Sequence, residues 1–216
     1  MTRQLSRDAS APETIGVVIG NHTHKYTARN PAIRWLTNRW VANLDGVLSR
    51  IAAQDGSGAR ALEVGCGEGV IAQRLHHHLG EVIALDLPDA GLRADWRQRP
   101  GPRFLHADAH ALPFDDRQFD VVVAAEVLEH LPDPEGGLAE LARVGRRHLL
   151  LSVPQEPIFR GCNLLAGRYL RDWGNTPGHL NHWTRRGFTR LVADVAEVRE
   201  VTSPFPWTTI WATLPS

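Results

Sequence analysis

Cysteine is scarce in this chain. Its two thiols, Cys66 and Cys162, give no disulfide framework and suit a reducing, cytoplasmic setting. Net charge is absent as well. Lysine plus arginine number 24, aspartate plus glutamate number 24, and the pI is near 7.2. That balance advertises no nucleic-acid partner and no membrane partner. Long apolar runs are missing, so no transmembrane helix is expected. Residues 1–20 hold no basic stretch followed by a long apolar one, so no secretory signal is expected either. Neither an internal repeat nor a low-complexity tract occurs. A chain of 216 residues can bury one good core, with little room for a second full domain.

The most informative stretch is Ala61-Leu62-Glu63-Val64-Gly65-Cys66-Gly67-Glu68-Gly69. Its apolar start reads as a buried strand. Three glycines at alternate positions follow, and then a helical segment. Glycine removes Cβ atoms where the chain turns sharply, and it lets a ligand lie against bare backbone. This is the layout of a nucleotide-type site at the carboxyl end of a first α/β strand. A dinucleotide loop has G-x-G-x-x-G. Here the spacing is G-x-G-x-G, and Val70 stands where that pattern has its third glycine. Glu63 and Glu68 flank the loop. Acids there repel a pyrophosphate and suit a cationic ligand.

Further acids support this reading. The run Glu81 to Asp86 is a second buried strand, and Asp86 at its end can accept both hydroxyls of a ribose. His106-Ala107-Asp108-Ala109 follows a short strand, and an acid there can accept from an adenine amino group. From Phe119 a β-branched strand breaks into the polar turn Glu126-Val127-Leu128-Glu129-His130.

The segments LEVGCGEG, IALDLPD, ADAHALPF, FDVVVAAEVLEHLPDP and HLLLSVP occur in this order. Through them, residues 60–153 resemble the class I S-adenosylmethionine-dependent methyltransferases, and within these the group that includes ubiquinone- and menaquinone-type enzymes. The resemblance implies a Rossmann-like, doubly wound α/β fold: seven mostly parallel strands with helices on both faces. It implies S-adenosyl-L-methionine as cofactor and S-adenosyl-L-homocysteine as product. Gly65, Cys66 and Gly67 would lie under the methionine part. Asp86 with Leu87 would meet the ribose, and Asp108 with Ala109 the adenine. Tyr26, Glu63 and Glu126 complete the implied cofactor contacts.

Around that core, residues 1–58 read as an arm and helix covering the cofactor, and residues 59–216 as the methyltransferase domain. The arm carries the apolar patch Ile15 to Ile19 and then His22, His24 and Tyr26. Pro31 opens a helical pattern, Ile33, Leu36, Trp40, Leu44, Val47 and Ile51, that ends at Asp55-Gly56. Helices are expected over 70–79, 92–98, 134–144 and 184–192, with Pro134 in a first turn and Thr184 as a cap. Late strands are expected over 147–153, 195–202 and 207–214. An insertion, 155–183, follows the fifth strand. It is polar, with no clear apolar period, and reads as a substrate lid.

Methyl transfer from a sulfonium is an in-line displacement, so the protein supplies orientation, desolvation and sometimes a base. Histidine suits proton removal near neutral pH. The candidates are His130, His179 and His182, with His22 and His24 behind them. His130 has two readings, catalytic base or loop brace. His179 and His182 either touch substrate or hold backbone. Glu126, Glu129, His130 and His179 also resemble a divalent-metal arrangement of some O-methyltransferases, but no metal is assigned. His76, His77 and His78 are consecutive on a helix and cannot chelate as a set. The tryptophans read as structural, except Trp173 and Trp183 beside the lid.

The expected function is methyl transfer to an O, N or C centre of a small polar metabolite by a monomer or homodimer. One rival is an S-adenosylmethionine-binding protein with cyclase, decarboxylase or accessory chemistry. Another is a dinucleotide oxidoreductase, which the glycine spacing disfavours.

Overall fold

The computed structural model describes residues 26, 28–89 and 91–215. The expected arm residues His22 and His24, and the patch Ile15 to Ile19, lie outside the described residues.

Seven strands form one sheet: β1 (Ala61–Val64), β2 (Val82–Asp86), β3 (Arg103–His106), β4 (Phe119–Ala125), β5 (Gly145–Pro154), β6 (Glu197–Thr202) and β7 (Trp207–Thr213). Their order is β3-β2-β1-β4-β5-β7-β6. The first five are parallel, whereas β7 runs antiparallel to both β5 and β6. Near-continuous apolar runs in β1, β2, β4 and β5 are what strands covered on both faces require.

Side chains alternate across the sheet. Ala61, Val82, Ala84, Val121, Val123 and Leu150 face α1 (Pro31–Asp55) and α2 (Val70–Leu79). Leu62, Val64, Ile83, Leu85, Val122, Leu149 and Leu151 face the opposite layer of α4 (Pro134–Val144) and α6 (Arg185–Ala193). Two short helices complete the set, α3 (Leu92–Trp96) and α5 (Ile158–Leu165). No helix among the described residues is long and apolar enough to cross a membrane.

The helix boundaries follow local chemistry. Asn30 caps α1 by accepting from the Ala32 N–H at 2.9 Å, and Pro31 opens the first turn. Asp133 caps α4 through Gly136, and Thr184 caps α6 through Gly187. The stripe Trp40, Leu44, Val47, Leu48 and Ile51 places α1 in the same core as α2 and the sheet. Helix α1 is therefore part of the domain core, and only its first turns reach the site. Helix α3 is shorter than the expected 92–98, and β5 begins at Gly145 rather than at Arg147. A register shift between Phe119 and Val121 of β4 lets Gly145 pair early.

At the far end of β5 a buried polar triad ties the last turn of α1 to the sheet. His148 bonds Asp55 Oδ2 through Nε2 at 3.0 Å, and Trp211 Nε1–H donates to its Nδ1 at 3.2 Å. A ring that accepts at Nδ1 is neutral. Burial holds the His148 pKa below 6.5 against the opposing pull of Asp55. The unfolded chain therefore takes up a proton first as pH falls, and stability drops below about pH 6.5. His148→Gln should flatten the stability profile between about pH 7 and 5, and cost about 1–3 kcal/mol at neutral pH, in urea titrations.

Candidate functional site

In this strand order, connections leave β1 and β4 toward opposite layers, which opens a crevice at their carboxyl ends. A cavity of about 1730 Å³ lies there among the described residues. Single ligand sites run to about 300–1,000 Å³, so this one has room for two molecules.

The loop after β1 needs its glycines for three different reasons. Gly65, Gly67 and Gly69 all sit in the left-handed region, at φ 71°, 49° and 75°. A Cβ on Gly65 would overlap Val127, and one on Gly69 would meet the Phe104 ring at 2.7 Å. A Cβ on Gly67 would meet nothing within 4 Å, so this residue fronts open space. The loop is splinted from below. Gly67 and Leu87 N–H groups donate to the two oxygens of Asp86, at 2.6 and 2.7 Å. Trp96 Nε1–H donates to the Gly67 carbonyl at 2.8 Å, and Arg99 Nε to that of Glu68 at 3.0 Å. Each Asp86 oxygen keeps a second lone pair, and the residue lines the cavity. Burial, then Glu63 and Asp86, push the Cys66 thiol far above its ordinary pKa, so it is no nucleophile.

Carboxylates gather at the inner end. Glu63, next to last in β1, is 2% exposed. Glu126 follows β4 at φ 65°, a left-handed turn that is uncommon for a residue with a side chain. Trp207 Nε1–H donates to Glu126 Oε2 at 2.7 Å. Burial first, then Glu63, Glu126 and Glu68, push the Tyr26 hydroxyl well above its usual pKa. Burial is the larger cause of that shift, and the three carboxylates add to it a negative field that suits a cationic ligand. Tyr26, Trp40 and Trp207 form a stack, with centroids 6.4 and 5.4 Å apart. At the outer end Asp108 and the buried Ala109 line the cavity. Asp108 Oδ1 accepts from the backbone N–H and Nδ1 of His110, which lowers its pKa.

The lid is clasped at its base, where the Glu156 N–H donates to the Trp183 carbonyl at 2.9 Å. It holds helix α5, which the sequence pattern did not announce, and Cys162 lies within that helix. Its second half is bolted to the 3₁₀ turn Leu128–His130. Leu180 and Asn181 N–H groups both donate to the Glu129 carbonyl, and the Asn181 amide donates to Leu131 O at 2.7 Å. His130 Nδ1 donates to Gly178 O at 2.9 Å, which leaves Nε2 of a neutral ring as the acceptor.

The candidate histidines separate. His130 and His179 both line the cavity, with ring centroids 4.9 Å apart. His182 is not among the cavity-lining residues. Its Nε2 lies 2.7 Å from Asn175 Oδ1 and 2.8 Å from Arg160 Nη2. Burial and then Arg160 lower its pKa, so it braces the lid as a neutral ring. Glu129, His130 and His179 offer one ligand atom each within 4.8 Å of one another. Three donors of carboxylate and imidazole type fit a divalent transition cation. Glu126 is instead engaged by Trp207.

The sequence did not single out the tryptophan that lines the cavity. Trp183 packs on Phe188 and Trp173 is solvent-exposed, so neither lines the cavity, whereas Trp207 does. The missing fact was the direction of β7. Because it is antiparallel to β5, its first residue pairs with Pro154 at the carboxyl edge. Ser152 on β5 marks the same edge, accepting from Trp40 Nε1 at 2.8 Å.

The glycine geometry orders two substitutions. Gly65→Ala and Gly67→Ala each add a left-handed penalty of about 1–2 kcal/mol. Gly65→Ala also drives a methyl into Val127, so chemical denaturation should rank it the less stable of the two, by about 1–3 kcal/mol.

Residues 62–151 match the family model described as a methyltransferase domain. A demethylmenaquinone methyltransferase of Renibacterium salmoninarum is 29% identical over 162 residues, 74% of this chain and 66% of that protein. A phthiotriol/phenolphthiotriol dimycocerosates methyltransferase of Mycobacterium ulcerans is 42% identical over 94 residues, 42% of this chain and 35% of that protein. The chain thus spans between about a third and two thirds of these curated relatives. Magnesium protoporphyrin IX methyltransferase from Synechocystis PCC 6803, solved with bound SAH, superposes at a TM-score of 0.65 with 19% identity, over 88% of this chain and 91% of that one. The chain thus shares the fold of that methyltransferase, and its residues 62–151 are similar to the methyltransferase domain family.

Proposed function

We propose that this protein transfers the methyl group of S-adenosylmethionine to an O, N or C centre of a small-molecule acceptor. One observation carries the reading. Gly67 fronts open space beside the splinted Asp86, under a cluster of carboxylates that suits a sulfonium and an ammonium. Asp86 then serves the ribose, Asp108 and Ala109 the adenine, and Glu63 and Glu126 the cationic end. The matched relatives are named as methyltransferases, which favours transfer over cyclase or decarboxylase chemistry.

The acceptor end of the cavity has an apolar wall of Phe159, Leu165, Leu180, Phe205 and Trp207, with His130, Thr176 and His179 among them. That lining favours an amphipathic acceptor, an apolar body bearing a hydroxyl or amine, over a fully polar metabolite. His130 Nε2 and the His179 ring are the groups suited to take its proton. In the alternative, with these nitrogens spent as ligands and not as bases, Glu129, His130 and His179 would hold a divalent cation, which would acidify an acceptor hydroxyl.

Calorimetry with S-adenosylmethionine tests the cofactor half. Asp86→Ala should weaken binding by about 1–3 kcal/mol, since a ribose hydroxyl loses a charged acceptor. Gly67→Val should abolish binding while the chain stays folded. Normal affinity in both folded variants would defeat the assignment, as would equal binding of NAD. For the acceptor half, His179→Ala should lower turnover by about 10²–10⁴-fold with cofactor affinity retained. If chelator treatment leaves wild-type turnover intact, the histidines act without a cation.

A further inference from the structure

The tip of the lid carries an exposed patch of mixed chemistry. Leu165 is 91% exposed, Trp173 79% and Leu170 63%. Two exposed arginines, Arg168 and Arg171, are interleaved with them in the ten residues Leu164 to Trp173. Several surface arginines elsewhere are paired, including Arg50 with Glu200, Arg60 with Glu81 and Arg147 with Asp55. Neither Arg168 nor Arg171 forms an ion pair among the described residues.

The zero net charge of the whole chain conceals this local excess. Between Pro157 and Ala193 the sequence holds six arginines and a single acid, Asp172. Left-handed residues at Gly167, Tyr169, Trp173 and Gly174 turn the segment repeatedly, so side chains project from a knuckle rather than lie on a flat face. A protein interface of standard size needs about 800 Å² and 20–30 residues per partner. A ten-residue knuckle falls short of that. Leucines with a tryptophan and unpaired arginines suit shallow burial at a headgroup boundary, the apolar groups entering and the cations meeting anionic lipid. Leu165, Arg168 and Tyr169 also line the cavity, so the patch and the cavity mouth are continuous.

We infer that the lid tip, Leu164 to Trp173, docks the protein on an anionic bilayer surface and turns the cavity mouth toward it. An amphipathic acceptor then reaches the cavity from the lipid phase without crossing water. Docking is read without cofactor or acceptor, so it stands or falls separately from the methyl-transfer reading.

The test is co-sedimentation of the full chain with vesicles of phosphatidylcholine, alone or mixed with phosphatidylglycerol. The protein should pellet with the mixed vesicles, weakly with the neutral ones, and less as salt is raised. Leu170→Ser with Trp173→Ser should reduce pelleting by at least about tenfold, and Arg171→Glu by at least about fivefold, with melting temperatures unchanged. Failure to pellet with anionic vesicles would overturn the inference. Undiminished pelleting of both folded variants would do the same, because the contact would then lie elsewhere. A concentration-dependent dimer in ultracentrifugation that the double variant abolishes would also overturn it, by assigning the patch to a second copy of the chain.

Discussion

Strand β1 has no freedom except at its end. It is hydrogen-bonded to β2 on one side and β4 on the other, and none of its four residues exceeds 2% exposure. A strand so enclosed can leave the sheet only at its carboxyl end, and Gly65 must turn there with a valine already against it. That constraint decides the rest. The turn exposes the Gly67 backbone to open space and brings its N–H to Asp86. It also aligns the ends of three neighbouring strands, so that Glu63, Asp86 and Glu126 face one cavity although they are far apart in sequence.

The parts of the site that were legible in the sequence are those whose geometry is local. Asp86 ends a strand, and a strand end is visible as an apolar run that stops. Pro31 and Thr184 mark helix starts because proline and threonine satisfy or forgo backbone donors within a few residues. Trp207 was not legible, since its place depends on β7 running against β5, and nothing local to Pro206-Trp207 states that direction. His182 was misplaced for a similar reason. It lies three residues from His179, but Asn175 and Arg160 draw it into the lid while Gly178 and His130 hold its neighbour over the cavity. Helix α5 was hidden because it is eight residues long and contains Gly161.

The lid has two mechanical halves. Residues 178–181 share a hydrogen-bond network with the turn after β4, so the histidine beside the cavity and the lid that covers it are positioned together. A displaced lid would strip the Glu129 carbonyl of two donors and the Leu131 carbonyl of one, at up to about 1–3 kcal/mol for each group. The α5 half is tied internally, through Asn163 to Gly174 and Thr176. Arg160 and Asn175 join it to the second half through His182, and Phe159 packs on His179.

The stack of Tyr26, Trp40 and Trp207 has a consequence for how the molecule comes into being. Two of its members precede the sheet in the chain and the third begins the strand laid down last. Trp40 already needs Ser152, 112 positions away, for its indole hydrogen bond. Contacts of such long range form late, after loop closure has been paid for in chain entropy. A ribosome delivers α1 and the glycine loop well before β7, so the nascent domain passes through a stage with its helices and parallel strands formed and its cavity unfinished. Competence to hold a ligand thereby becomes a report that the whole described chain has folded.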